Sequence, residues 1–197
     1  MIIFTSISLY QHRAVTFRDF LTSITVRIAK WPSQRLPWLL LALSSTALIV
    51  VALYTQYGPQ QLIPCVQCIY QRTAMIALTL FAWLGVTAPH YRMVRWLAIV
   101  GWIISSAVGW YAANHHVWLQ EAANPLFQPC SPYPDFPTWL PLHDWMPWLF
   151  GAGGLCGDID WQFAGLSMPE WLRIIFATYL AIALVVALCR MAHHPNR

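Results

Sequence analysis

Four apolar runs, each long enough to cross a bilayer, decide what this chain of 197 residues can become. They extend approximately from Leu36 to Thr55, Ile69 to Ala88, Trp96 to Ala113 and Trp171 to Cys189. The hydrocarbon core takes about 20 consecutive apolar residues per helix. With 58% hydrophobic residues, only 9% charged ones and 12 tryptophans, an ordinary soluble domain is excluded. The expected fold is an all-α membrane protein, a four-transmembrane-helix bundle with a long outer loop between helices 3 and 4.

The basic residues orient that bundle, because Lys and Arg collect in cytoplasmic loops. Arg13, Arg18, Arg27, Lys30 and Arg35 precede the first run, Arg92 and Arg95 separate the second from the third, and Arg190 and Arg197 follow the fourth. Between Arg95 and Arg173 there is no Lys or Arg, whereas Glu121, Asp135, Asp144, Asp158, Asp160 and Glu170 all fall there. Both termini are therefore expected on the cytoplasmic side and the long loop on the far side. The net charge of +4 is a topological signal and makes no case for nucleic acid.

This divides the chain into an N-terminal extension (1–35), a four-helix domain (36–189) with outer loops at 56–68 and 114–170, and a short tail (190–197). Residues Met1 to Trp31 lack the order of a cleaved signal peptide. Val15, Phe17, Phe20, Leu21, Ile24 and Ile28, interleaved with Arg13, Arg18, Arg27 and Lys30, allow an amphipathic helix on the inner membrane surface. A loosely ordered extension is the other reading.

Chemistry concentrates where the second run begins, at Pro64-Cys65-Val66-Gln67-Cys68-Ile69-Tyr70-Gln71-Arg72. A helix starting there presents unpaired N–H groups, which favour a thiolate over a thiol. Arg72 lies at i+4 from Cys68, on the same face. The residues alone leave open a redox pair, half of a zinc site and a structural bridge. Arg72 and Arg173 are the basic residues placed near the outer face; Arg173 has room to snorkel beside Glu170, whereas Arg72 has Cys68 beside it and reads as functional. Asn114-His115-His116-Val117-Trp118 leaves two histidines at the outer end of the third run, either binding a ring carbonyl or facing water.

The outer loop, about fifty residues from Val117 to Met168, far exceeds the usual connection of about 4–6. Its prolines, Pro125, Pro129, Pro132, Pro134, Pro137, Pro141 and Pro147, argue against regular sheet, and its many aromatic residues argue against a solvated tail. Leu142 to Phe150 reads as a short interfacial segment, and Gly151-Ala152-Gly153-Gly154 as its flexible exit. The loop carries Cys130 and Cys156, which it can bring to Cys65 or Cys68. With these four cysteines on the oxidising side, disulfide chemistry is favoured over zinc, whose four-cysteine sites use two closely spaced pairs. Cys189, at the inner end of the fourth run, is assigned no role.

Cys65 to Arg72, the four runs with both ends inside, the Cys130 and Cys156 loop, and Trp161-Gln162-Phe163-Ala164-Gly165-Leu166-Ser167-Met168-Pro169-Glu170-Trp171 together resemble the bacterial disulfide bond formation protein B family, over roughly Leu36 to Cys189. Residues Met1 to Trp31 have no counterpart in that pattern, and Gln71 stands where family members often carry Glu. The resemblance implies a multi-pass protein of the bacterial inner membrane, the long loop periplasmic. It implies an enzyme that reoxidises a periplasmic thioredoxin-like dithiol oxidase of the DsbA type and passes the electrons to a membrane quinone, ubiquinone or menaquinone. It further implies that Cys130 and Cys156 form the outer disulfide, that the partner attacks Cys130, that the freed Cys156 attacks Cys65, and that Cys68 faces the quinone with Arg72 and His116 near the quinone oxygens. No metal is expected. Competing readings are a membrane protein merely braced by two disulfides, a metal-binding sensor, and a relative dedicated to one special oxidase.

Overall fold

The computed structural model describes residues 17–121, 130, 131 and 133–193. Helix α1 (Phe17–Lys30) is followed by a 3-10 turn (Trp31–Ser33) and by α2 (Arg35–Tyr57), α3 (Val66–Thr87) and α4 (Arg92–Glu121). The outer loop contains α5 (Leu142–Trp145), α6 (Pro147–Phe150) and a hairpin of β1 (Gln162–Phe163) and β2 (Leu166–Ser167), and α7 (Met168–Ala192) closes the chain. Among the described residues, helices α2, α3, α4 and α7 are the four long and apolar enough to cross a membrane, as the hydropathy requires.

Lipid gives helices no hydrophobic reason to associate, so their contacts depend on close approach at small residues. Three glycines accept large rings. A Cβ on Gly85 would come within 2.3 Å of Trp38, one on Gly101 within 2.2 Å of Phe81, and one on Gly109 within 2.3 Å of Phe176. These contacts join α2 to α3, α3 to α4 and α4 to α7. Between them lies a core of Leu41, Ala42, Leu78, Ala82, Ala98, Ile99, Trp102, Ala183 and Ala187. Outward-facing Leu40, Leu80, Leu97, Ile104, Val108 and Leu188 remain exposed, as side chains that meet acyl chains do. The α2–α7 seam is looser, and the Tyr179 hydroxyl bridges it by donating to Ser44 Oγ at 2.9 Å.

Helix α4 is longer than the apolar run alone indicates. Its 30 residues extend about 45 Å, against about 30 Å of hydrocarbon. The surplus carries Asn114 to Glu121 beyond the core as helix, where the sequence reading placed the beginning of the outer loop. His116, Val117 and Leu119 are consequently buried.

Three further local outcomes differ from expectation or choose between alternatives. The extension is helical over α1, which packs on α7, with His193 Nε2 2.8 Å from Thr25 Oγ1; Met1 to Thr16 lie outside the described residues, as do Pro125, Pro129 and Pro132. The outer loop does contain sheet, a minimal hairpin downstream of its last proline, Pro147. Its two-residue turn needs positive φ at both positions, met by Ala164 at 53° and Gly165 at 81°. Glu170 is not a partner for Arg173: its Oε2 accepts from the Ser167 backbone N–H at 2.7 Å, closing the start of α7.

Candidate functional site

The outer loop reaches the mouth of α3 through its backbone. Pro64 brings the chain to the helix in an extended conformation, and its carbonyl accepts from both Gly153 N–H (3.0 Å) and Gly154 N–H (3.1 Å). A Cβ on Gly154 would stand 2.4 Å from the Ile63 carbonyl oxygen. The glycine run that reads as a flexible exit is thus a clamp whose approach leaves no room for a side chain, and Cys156, two residues on, is held against Cys65.

Cys130 and Cys156 are joined as a disulfide, with Cα atoms 6.2 Å apart, whereas Cys65, Cys68 and Cys189 are free. Cys65, Cys156 and Leu119 form one buried cluster, with Cys68 and Cys130 packed against it. The four outer cysteines therefore come together, and Cys189 stays at the other end of α7.

Cys65 caps α3. Its Sγ accepts from Cys68 N–H at 3.4 Å, replacing one of the helix's missing acceptors, and its thiol donates to Cys68 Sγ at 3.0 Å. That donation, followed by burial, pushes the Cys65 thiol well above its ordinary range. The proton of the pair therefore rests on Cys65, leaving Cys68 Sγ as the acceptor.

Behind the sulfurs stands His116, whose Nε2 is 3.5 Å from Cys65 Sγ and whose Nδ1 is 3.1 Å from Gln71 Nε2. An amide nitrogen only donates, so Nδ1 accepts and Nε2 carries the ring proton, directed at sulfur. Gln71 is three residues beyond Cys68, on the helix face turned to α4. Sequence reading noted this residue only as a departure from the family pattern; its i+3 spacing from Cys68 was the available signal. His116 stands where its ring addresses sulfur.

Arg72, 8% exposed, sends Nη1 to the Leu149 carbonyl at 2.8 Å and so holds α6 over the site. The Tyr57 hydroxyl donates to the Trp148 carbonyl, fixing the same segment from α2. Tyr70 accepts from Asp135 N–H at 2.8 Å, and Phe136 packs edge-on against Tyr70 and Phe150. Gln120 donates to the Asp158 carbonyl at 3.2 Å and accepts from Ser167 Oγ at 2.9 Å, anchoring the loop downstream of Cys156.

A crevice of about 80 Å³ opens between these elements, lined by Cys65, Cys68, Arg72 and His116 on one side and by Ala52, Leu62, Ile63 and Met168 on another. Two buried polar atoms on its walls lack partners, Arg72 Nε and Gln56 Oε1. A charged donor beside sulfur with an apolar rim suits a ring that carries acceptor oxygens on an apolar body, so the residues fit a quinone head group. The ligating atoms of Cys65, Cys68 and His116 also lie within 4.8 Å of one another. That trio has the softness zinc accepts, and sequence reading missed it by looking for cysteine pairs alone.

The family model "Disulfide bond formation protein DsbB" matches residues 34–186. A protein named "Disulfide bond formation protein B" from Idiomarina loihiensis is 44% identical over 164 residues, 83% of this chain and 90% of the relative. One of the same name from Pseudoalteromonas translucida is 43% identical over 164 residues, 83% of this chain and 95% of its own. A third, from Vibrio alginolyticus, is 45% identical over 153 residues, 77% and 92% of the two chains.

Proposed function

The chain belongs to the DsbB family of disulfide bond formation proteins, and from that premise we propose how it works. Membership makes it a multi-pass membrane oxidoreductase of disulfide formation. The finer reading is that it reoxidises a periplasmic thioredoxin-like dithiol oxidase of the DsbA type and delivers the electrons to a membrane quinone. In this reading it resides in the bacterial inner membrane with both termini cytoplasmic, and 36–189 is the working domain.

The partner's thiolate attacks Cys130 Sγ; the Cys130–Cys156 bond breaks and Cys156 leaves as a thiolate. The partner's second thiol resolves the mixed disulfide, so the partner departs oxidised and Cys130 is released as a thiol. Cys156 then attacks Cys65 of a Cys65–Cys68 disulfide, and Cys68 leaves as the thiolate. Cys130 closes on Cys156, which restores the outer bond and returns Cys65 as a thiol. One dithiol has been oxidised and one disulfide reduced, so two electrons now rest on the inner pair.

Exchange is fastest when the leaving sulfur is a stable anion. Cys68 has the first turn of α3, the Cys65 thiol proton and the Arg72 cation to make it one. His116 turns its Nε2 to Cys65 and hydrogen-bonds that sulfur when it is displaced. A quinone, ubiquinone or menaquinone, would supply the two-electron acceptor beside Cys68, where the unpartnered Nε of Arg72 would hold its oxygen in the crevice that His116 also lines.

The observation carrying this reading is that four sulfurs of two distant segments share one buried cluster opening on the Arg72 crevice. The test is quinone reduction, followed by absorbance, using purified protein and a reduced thioredoxin-like donor. Turnover that depends on both substrates is expected; a protein that exchanges disulfides but never reduces the quinone would sink it.

A further inference from the structure

The inner end of the bundle holds cations without counter-charge among the described residues. Arg95 of α4 and Arg190 of α7 converge on one hydroxyl, with Nη1 atoms 3.4 Å and 3.3 Å from Ser33 Oγ. Each also donates to a carbonyl, Arg95 to Pro89 at 2.9 Å and Arg190 to Ala29 at 2.7 Å. Arg92 is near enough to add to the same field. Arg95 is 8% exposed, and the Nε atoms of both converging arginines are buried without a partner.

Among the described residues no carboxylate relieves them. Of the seven acidic residues, Glu121, Asp135, Asp144, Asp158, Asp160 and Glu170 belong to the outer end. Asp19 is on α1, and its side chain is outside the described residues. It lies about 15 Å along the helix from Ala29, too far to reach Arg190. Two guanidinium groups sharing a hydroxyl repel each other in a poorly solvated place unless an anion joins them.

An apolar groove reaches the residues on either side of Ser33. Pro32 and Gln34, the neighbours of Ser33, line its mouth, and Trp38, Leu41, Tyr179 and Val186 its walls, along the loose α2–α7 seam. Its volume is about 580 Å³, and Leu36, Leu40 and Ile182 of its lining are exposed on the outside of the bundle. Headgroup charge and chain shape are thus matched by adjoining features.

We propose that this end of the bundle binds one anionic phospholipid, with the phosphate joining Arg95 and Arg190 and one acyl chain lying in the α2–α7 groove. Basic sites between helices at a membrane face are suited to such headgroups. The site is built partly by residues beyond the family match, which covers 34–186: Pro32 and Ser33 precede it and Arg190 follows it. It is thus a feature of this chain's flanks, and it rests on the membrane reading without drawing on the redox assignment.

Native mass spectrometry of the full chain, released from detergent with defined lipids, tests the proposal. One bound phosphatidylglycerol is expected at concentrations where phosphatidylcholine of the same chain length is not retained. Arg95→Gln and Arg190→Gln should each weaken retention about fivefold, and Arg173→Gln, at the outer end, should not change it. Phosphatidylglycerol with six-carbon chains should compete poorly, and inorganic phosphate should not compete. Equal retention of the two long-chain lipids by the wild-type chain would overturn the proposal even if no arginine variant folds. Full competition by inorganic phosphate would reduce the site to one for free anions and overturn the lipid assignment.

Discussion

The two outer cysteine pairs lie in one cluster, yet they are held by opposite means. Cys65 and Cys68 are three residues apart on the cap and first turn of a membrane helix, with a backbone N–H, a histidine and an arginine around them. Cys130 and Cys156 are 26 residues apart on a loop, joined to each other and steadied by backbone contacts of the residues around them. The inner pair has its surroundings built to tune sulfur, and the outer pair has surroundings that hold its disulfide against the first pair. A relay needs both, because exchange requires contact at each end while only the end facing the acceptor must stabilise charge.

Removing Cys156, the buried member of the outer pair, breaks this contrast most severely. In Cys156→Ser nothing can carry electrons inward, so turnover should fall by a factor of about a thousand or more, as when a nucleophile is lost. Cys130, left as a free thiol in this variant, should attack the disulfide of the oxidised partner, releasing one partner thiol and forming a mixed disulfide visible as a heavier band on a non-reducing gel. Absence of that band would remove Cys130 as the contact.

Next in size is the charge that distinguishes the inner pair. Arg72→His should raise the apparent quinone KM by about ten- to a hundredfold, the loss of a charge-assisted hydrogen bond in a dry site. Disulfide exchange among the four cysteines, read by gel, should be much less affected. An unchanged KM would take Arg72 out of the acceptor site and leave it as the post that holds Leu149.

The clamp between the pairs is the third target. Gly154→Ala places a methyl 2.4 Å from the Ile63 carbonyl oxygen. Displacing the loop should cost about 1–3 kcal/mol and slow transfer between Cys156 and Cys65 about tenfold or more, with the quinone KM unaltered. Normal transfer would mean that the glycine run acts as the flexible tether the sequence suggests.

These contacts explain what was legible before any coordinates. The four spans follow from hydropathy and the Cys65–Cys68–Arg72 spacing from helix periodicity, so both are visible in residue types. The pairing of Cys130 with Cys156 was available only through resemblance, since separation along a loop does not choose among partners. The Leu149 and Pro64 carbonyls were not available at all: every residue has a carbonyl, and nothing in a side-chain pattern marks one as an acceptor. His116 could be placed at the outer end but not oriented, because its orientation depends on Gln71 of another helix.

A smaller effect separates the two members of the inner pair. An ordinary thiol with a pKa of about 8.5 gains roughly twentyfold in alkylation rate from pH 7 to 9 as it ionises. Cys65, whose proton is held by Cys68 and by burial, should gain far less over that range. Mass mapping of iodoacetamide adducts on the reduced, folded protein measures this. A full rise at Cys65 would show that the proton is not kept there.

The smallest effect belongs to the fifth cysteine, which tests whether location or mere presence makes a sulfur part of the relay. Cys189 is a free, half-buried thiol on α7. It lies 21 residues beyond Met168, about 32 Å along the helix from the outer end. Thiol exchange needs sulfur–sulfur contact, and no local opening of a packed helix covers that distance. Cys189→Ala should therefore leave turnover unchanged and shift stability by no more than about 0.5 kcal/mol, as replacements away from special contacts do. Reduced turnover at unchanged stability would require a second route for electrons along the inner face, and the division of labour between the two outer pairs would no longer account for the whole reaction.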